Sequence, residues 1–205
     1  PELPGYPEID ERLQQIVAEE NDGTFTAHLG GIVALNAGLA RITQQTVTLF
    51  PIALLIIALL HYEAFRTIQG MLLPVVTALL AVTWSLGLMG AMHLPLDPFN
   101  TTTPILILAV AAGHAVQILK RYYEEFERYR DAHVAIRQAV VKVGPVMLTA
   151  GTIAALSFFS LTAFRTNTIR NFGLLAGFGI LATMAIELTL IPALRGMLPA
   201  PRTQE

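Results

Sequence analysis

Two ionisable side chains lie inside otherwise apolar stretches of the chain, His114 and Glu187. An imidazole titrates near neutrality, and a carboxylate in hydrocarbon must be protonated, paired or close to the membrane interface. Both residues are therefore candidates for binding a proton inside a membrane. Structural roles stay open beside this one. His114 can make a hydrogen bond that packs two helices, and Glu187 can snorkel or pair, with Arg195 two turns further along.

Other kinds of site chemistry are missing from the sequence. The chain has no cysteine, which excludes disulfides and zinc–thiolate sites. It contains no G-x-x-x-x-G-K-[ST], G-x-S-x-G or H-E-x-x-H motif. Its other histidines lack the helical spacing of metal ligands. We therefore predict that the chain is not an enzyme and that it holds no metal or cofactor.

The composition is that of a membrane protein. Hydrophobic residues make up 54% of the chain and charged residues 14%, against roughly 25% charged residues in a typical soluble domain. A net charge of -2 leaves no basic field, so nucleic acid is excluded as an expected partner. We predict instead that membrane lipids surround the chain.

Five stretches are long enough and free enough of charge to cross a bilayer, which needs roughly 20 apolar residues per helix. We predict an all-α polytopic membrane protein whose membrane domain covers residues 32–199. The predicted spans are residues 42–60, 67–92, 101–119, 143–164 and 171–194.

The first 31 residues form a different kind of segment. Their pattern predicts a helix over residues 7–20 and a short strand over residues 24–29. One helix and one strand bury too little apolar surface to fold alone. We therefore expect an extracytoplasmic α+β fragment whose remaining parts lie upstream, in a chain that is an excised or truncated segment.

The connection after the third predicted span is basic and amphipathic. Its apolar residues are alternately four and three positions apart. This spacing predicts one amphipathic helix over residues 120–141, lying at the inner membrane surface. Basic residues are retained on the cytoplasmic side, so this connection and the tail at residues 200–205 are predicted to be cytoplasmic and residues 1–41 extracytoplasmic. The six basic residues are Lys120, Arg121, Arg128, Arg130, Arg137 and Lys142.

Small residues recur at helical spacing in two of the spans. Gly173 and Gly177 form a small-xxx-small pair, and Gly113 forms another with Ala109. Such residues let helix backbones approach closely in lipid. We predict that Gly113, Gly173 and Gly177 pack helices together.

The third span and its exit resemble the resistance-nodulation-division superfamily, and specifically the MMPL-type exporters. In that family, the fourth helix of each half carries an Asp-Tyr pair and ends in an Arg-Tyr-x-Glu-Glu run. Here the run is formed by Arg121, Tyr122, Glu124 and Glu125. Further matches in order are Gly144 to Thr149, Phe172, Gly173, Gly179 and Pro192 to Leu194.

The resemblance implies a function and an architecture. The chain would be the end of a porter domain and helices two to six of one half of an exporter of lipids or other hydrophobic molecules, in the inner cell membrane. Its partners would be a hydrophobic substrate, the second half and the upstream porter domain, and a homo-oligomer stays open.

One departure from the family leaves the energy source open. Gly113 and His114 stand where the family has its proton-carrying Asp and its Tyr. His114 is therefore the substitute candidate for the proton carrier. The alternative is a non-transporting lipid sensor or scaffold that resembles a sterol-sensing domain.

Overall fold

The computed structural model describes residues 5–21, 27–95, 97 and 99–199. Two short 3₁₀ turns, Asn100–Thr102 and Leu161–Ala163, adjoin the longer helices. The α-helices in the described residues are α1 Tyr6–Glu20, α2 Ile32–Phe65, α3 Ile68–Ala91, α4 Thr103–Tyr129, α5 Ala132–Ser160 and α6 Asn167–Met197.

Helices α2 to α6 are long and apolar enough to cross a membrane. They confirm the all-α fold and the five membrane helices predicted from the sequence. Several are longer than their predicted spans, and α2 has 34 residues. A helix of that length measures about 51 Å at 1.5 Å per residue, which exceeds the hydrocarbon thickness of about 30 Å. Part of α2 therefore extends beyond the hydrocarbon core of a bilayer.

The predicted N-terminal strand is not seen. Residues 22–26 lie outside the described residues, and residues 27–30 adopt no regular secondary structure. A strand needs a neighbouring strand to satisfy its backbone groups, and the described residues contain none. The described N-terminal segment is thus helix α1 and an irregular stretch, without the β part of the expected α+β fragment.

The predicted single helix over residues 120–141 is two helix ends that form a hairpin. Arg130 adopts a left-handed conformation, with φ of 54°, and ends α4. The side chain of Asp131 then begins α5 by accepting hydrogen bonds from the backbone of His133 and Val134. We call residues 120–142 the polar hairpin. Its apolar residues pack against one another across the two helices, and they are Tyr122, Phe126, Ala135, Ile136 and Ala139.

The chain forms two compact units, residues 1–49 and residues 50–205. In the first unit, Asp10 is buried, accepts a hydrogen bond from Gln14 and lies 3.3 Å from the guanidinium of Arg41. The predicted domain boundary at residue 31 coincides with the start of α2. The division between the two compact units falls at residues 49 and 50, and both of these residues lie within α2.

In the second unit, α6 contacts α3, α4 and α5. Buried apolar side chains from all four helices meet in one cluster, which we call the apolar layer. Its members are Leu73, Ala115, Ile118, Leu119, Met147 and Ile191. Because these side chains are almost completely buried, the layer is closely packed and apolar.

Two of the three glycines predicted to pack helices lie at close contacts of α6. A Cβ added to Gly173 would lie 2.5 Å from the carbonyl oxygen of Phe158, and one on Gly177 would lie 2.7 Å from the ring of Phe159. Gly113 differs, because a Cβ there would have no atom of the described residues within 4 Å. The exposed side of α4 that carries Gly113 faces away from the other described helices, so Gly113 packs no helix among them.

Replacing Gly173 with alanine should destabilise the bundle, because the backbone carbonyl of Phe158 cannot move aside as a side chain can. We expect a loss of about 1–3 kcal/mol in the free energy of unfolding, seen as a lower thermal midpoint in detergent. Gly144→Ala is the matched control, since its nearest neighbours would lie at 3.8 Å. Equal midpoints for the two variants would refute this explanation of the α5–α6 contact.

Candidate functional site

His114 lies on α4, and its side chain is 14% exposed. The helix begins at Thr103 and has a proline in its first turn. A proline is tolerated there because the first N–H groups of a helix have no hydrogen-bond partner within it. Its buried stripe is formed by residues such as Ala111, Ala115 and Ile118. His114 stands next to this stripe, so its imidazole is directed toward the neighbouring helices.

Glu187 lies on α6 and is fully buried. Its carboxylate oxygen Oε2 is 3.5 Å from Nδ1 of His114. Neither carboxylate oxygen has a hydrogen-bond donor among the described residues. The structure therefore brings together the two residues that were separate candidates for proton binding. The expected alternative for Glu187, a pairing with Arg195, is not seen, because Arg195 bonds to Gln69 and Pro199.

The His114–Glu187 contact is longer than a charge-assisted hydrogen bond, which measures about 2.7–2.9 Å. Such contacts are often long in a resting structure and shorten when the group takes part in proton transfer. The arrangement can therefore hold one shared proton between an imidazole and a carboxylate.

Gly151 on α5 leaves room beside this pair, a role that the sequence did not indicate. A Cβ there would lie 2.6 Å from the sulfur of Met184 and 3.8 Å from Cε1 of His114. A larger residue would therefore force Met184 to move. One signal was available, since Gly151 lies in a small-residue stretch of the fourth predicted span.

The apolar layer lies directly beyond the pair in the direction of the polar hairpin. Ala115, Ile118 and Leu119 follow His114 on α4, and Ile191 follows Glu187 by one turn on α6. A closely packed apolar layer excludes water, and hydrophobic constrictions of this kind block ion passage. Among the described residues, this layer of buried apolar side chains therefore stands between the pair and the polar hairpin.

The Arg-Tyr-x-Glu-Glu run forms a network of salt bridges in the polar hairpin. Glu125 is buried and bonds to Arg121 at 2.6 Å and to Lys142 of α5 at 2.7 Å, while Glu124 pairs with Arg121 at the surface. The hydrogen bond from Lys142 lowers the pKa of Glu125 below its usual value, and burial acts in the opposite direction. The link between α4 and α5 is therefore present at neutral pH and is lost as the pH falls through that lowered pKa.

Tyr122, the aromatic member of the run, is fully buried. Its ring stacks on Phe126, with the ring centroids 6.0 Å apart. Its hydroxyl has no hydrogen-bond partner among the described residues. The run thus does not form one exposed patch, because Tyr122 and Glu125 face the helix contacts and Arg121 and Glu124 are more exposed.

Several known proteins are similar to this chain. It is 30% identical over 149 residues to a protein of Methanocaldococcus jannaschii that is named as a membrane protein, which covers 73% of this chain and 38% of that protein. It is 30% identical over 155 residues to the hopanoid transporter HpnN of Burkholderia multivorans, covering 73% of this chain and 17% of the transporter. It is 24% identical over 192 residues to MmpL12 of Mycobacterium tuberculosis, which is named as a probable transport protein. That match covers 89% of this chain and 16% of MmpL12.

The chain thus spans less than two fifths of the length of each of these relatives. The family model described as the MMPL family matches residues 7–201, which is nearly the whole chain. Together with five helices suited to a membrane, this match shows that the chain is a multi-pass membrane protein of the MMPL family, within the resistance-nodulation-division superfamily.

Proposed function

We propose that this chain is part of an exporter of lipids or other hydrophobic molecules, and that His114 and Glu187 bind the proton that drives it. One observation carries the proposal. The single histidine and the single acid within the five predicted spans lie on different helices and yet meet at 3.5 Å. The naming of one relative as a hopanoid transporter supports the substrate class.

The charge of the pair explains how proton binding would drive a conformational change. With a neutral imidazole and an ionised carboxylate, the pair carries one negative charge, which is costly in a membrane interior. One added proton makes the pair neutral overall, whichever residue holds it. The loaded pair is therefore compatible with a closed, dry bundle, whereas the unloaded pair favours a conformation that admits water or a cation.

The apolar layer would control which side of the membrane reaches the pair. In the described conformation, it separates His114 and Glu187 from the polar hairpin. We assign this conformation to the stage in which the pair is closed toward the hairpin side. Releasing a proton to that side would require the layer to open, as hydrophobic constrictions do when they hydrate.

The pair would replace the carboxylate that the resembling exporters carry one helix position earlier. Gly113 cannot titrate, and it leaves that position of α4 without a side chain. Glu187 supplies a carboxylate from α6 instead, and His114 supplies the partner on α4. The proton site of this half would therefore be divided between two helices.

We further propose an orientation in the cell membrane. The polar hairpin carries six basic residues and would be cytoplasmic, together with the C-terminus. Residues 1–41 would then lie outside, and residues 1–31 would be the end of a porter domain. The five membrane helices would be helices two to six of one half, working with a second half and an upstream porter domain.

Replacing His114 with glutamine should abolish proton-driven export, because glutamine keeps the polarity but cannot titrate. The full-length protein would be reconstituted into phosphatidylethanolamine–phosphatidylglycerol vesicles. Transfer of a fluorescent phospholipid or of Nile red would be measured with and without a pH gradient. We expect the gradient-dependent rate to fall roughly 100-fold, which is within the range for removing a positioned proton donor.

His93→Gln is the matched control, because His93 lies in an exposed turn after α3, and its rate should not change. Normal gradient-driven export by the His114→Gln protein would remove the histidine from the mechanism. Failure of the unsubstituted protein to move either probe would instead favour the sensor or scaffold function.

A further inference from the structure

Arg195 is a second charged residue that is fully buried, in the last turn of α6. Its guanidinium donates hydrogen bonds to the side-chain oxygen of Gln69 on α3 and to the carbonyl oxygen of Pro199. Its central carbon lies 4.7 Å from the centroid of the Tyr122 ring on α4. One residue thus connects α6 to both α3 and α4.

The surroundings of Arg195 are unusual for a buried cation. An arginine cannot lose its proton in a protein, so its charge must be compensated where it is buried. No carboxylate forms a salt bridge with it in the described part of the chain. The compensation comes from the Gln69 amide, a backbone carbonyl, the face of Tyr122 and, at 6.0 Å, the face of Tyr123, and all of these require the guanidinium at one position.

Arg195 and Tyr122 stand in a simple geometric relation to the proposed proton site. Tyr122 follows His114 by eight residues on α4, and Arg195 follows Glu187 by eight residues on α6. Because α4 and α6 run in the same direction, both contacts cross between the same two helices, about 12 Å apart along them. The apolar layer fills the interval between the two contacts.

We propose that Arg195 is a positioning residue, which fixes α6 against α4 through Tyr122 so that Glu187 faces His114. The apolar side chains between the two contacts are interchangeable in chemistry, so they fix the register of the helices weakly. A guanidinium held by these groups fixes the register strongly, because a shift of one helix turn would bury the charge without partners. The inference rests on the proposed function only in taking the His114–Glu187 contact as functional.

The test measures the register of the helices and not export. His114 and Glu187 are both replaced by cysteine in the full-length protein, with any cysteine outside this chain removed beforehand. A short bifunctional thiol reagent is applied in native membranes. The cross-linked fraction is read from the intact protein mass, which distinguishes one bridging reagent molecule from two molecules that have each reacted with a single thiol. Phe159→Cys with Gly177→Cys serves as the reference pair, because these residues meet at a different contact, the one between α5 and α6.

We expect Arg195→Met and Arg195→Lys each to lower the cross-linked fraction at residues 114 and 187 at least threefold. Lysine keeps the charge but lacks the planar group that stacks and donates in several directions. Tyr122→Leu should lower it similarly. Tyr122→Phe should lower it less than Tyr122→Leu does, because it keeps the ring that the guanidinium faces. The reference pair should cross-link equally in every variant.

An unchanged fraction at residues 114 and 187 in the Arg195→Lys and Arg195→Met proteins would overturn the inference. A fall at the reference pair as well would also overturn it, because it would mean general loss of structure. If Arg195→Met does not fold, Arg195→Lys and Tyr122→Leu decide. Normal export by His114→Gln, together with a selective fall in cross-linking, would overturn the proposed function and leave the positioning role intact.

Discussion

Replacing Glu187 with glutamine is expected to abolish proton-driven export while leaving the protein at least as stable as before. The carboxylate is fully buried, and its oxygens have no hydrogen-bond donor among the described residues. Removing such a group relieves an energetic cost, so the change in unfolding free energy should lie between zero and about 2 kcal/mol of added stability. Export should fall roughly 100-fold, because the amide cannot exchange a proton.

The two measurements for this variant are the gradient-dependent rate of probe transfer and the thermal midpoint in detergent. Glu127→Gln is the matched control, since Glu127 is exposed in the polar hairpin and lies outside the Arg-Tyr-x-Glu-Glu run, and it should alter neither property. A Glu187→Gln protein that exports normally but unfolds at a clearly lower temperature would show that Glu187 serves the fold and not proton transfer.

A role in proton binding explains why a carboxylate is buried at Glu187, which stability alone does not explain. A protein selected only for a stable bundle would gain by replacing Glu187 with an apolar residue, because the surrounding positions of α6 are apolar and buried. Natural proteins accept such costs chiefly at functional sites. Arg195 differs, because its partners compensate its charge and its removal should weaken the bundle.

The membrane fold could be predicted from the sequence because its signal is local. A stretch of about 20 apolar residues must be helical in a bilayer, where every backbone group has to be satisfied within the segment. All five membrane helices follow from this local signal. The predicted strand over residues 24–29 is not seen at residues 27–29, the part of it that the structure describes, because a strand needs partners that a local pattern cannot supply. The helix predicted over residues 7–20 agrees with α1 because it depends on the same local periodicity.

The polar hairpin shows how a local pattern can mislead. The apolar spacing of Tyr122, Phe126 and Ile136 continues across residues 130 and 131, so it indicates one long helix. The chain turns there because Asp131 caps the following helix and Arg130 takes a left-handed conformation. Asp131 is a typical N-cap residue, and this signal could have placed the break.

The proton-binding pair could not be predicted as a pair. The sequence identified His114 and Glu187 separately, because each is an ionisable residue in an apolar stretch. Whether they meet depends on how far α4 and α6 are rotated about their axes, which is decided by packing against α3 and α5. Gly151 contributes to that packing and only the structure gave it a role.

The most direct test of the proposed proton site is exchange of its two residues. The variants His114→Glu and Glu187→His would each hold two groups of one kind, two acids or two imidazoles, and we expect each to lose gradient-driven export roughly 100-fold. The double variant restores one imidazole and one carboxylate in the opposite order. Because residues that act as a unit are strongly non-additive, it should recover at least about a tenth of the original rate.

The quantity to measure is the gradient-dependent rate of fluorescent phospholipid or Nile red transfer by the four proteins in the same vesicles at equal insertion. The account predicts two inactive single variants and an active double variant. Full export by either single variant, or a folded and inserted double variant no faster than the single ones, would contradict the claim that His114 and Glu187 act together to bind the driving proton.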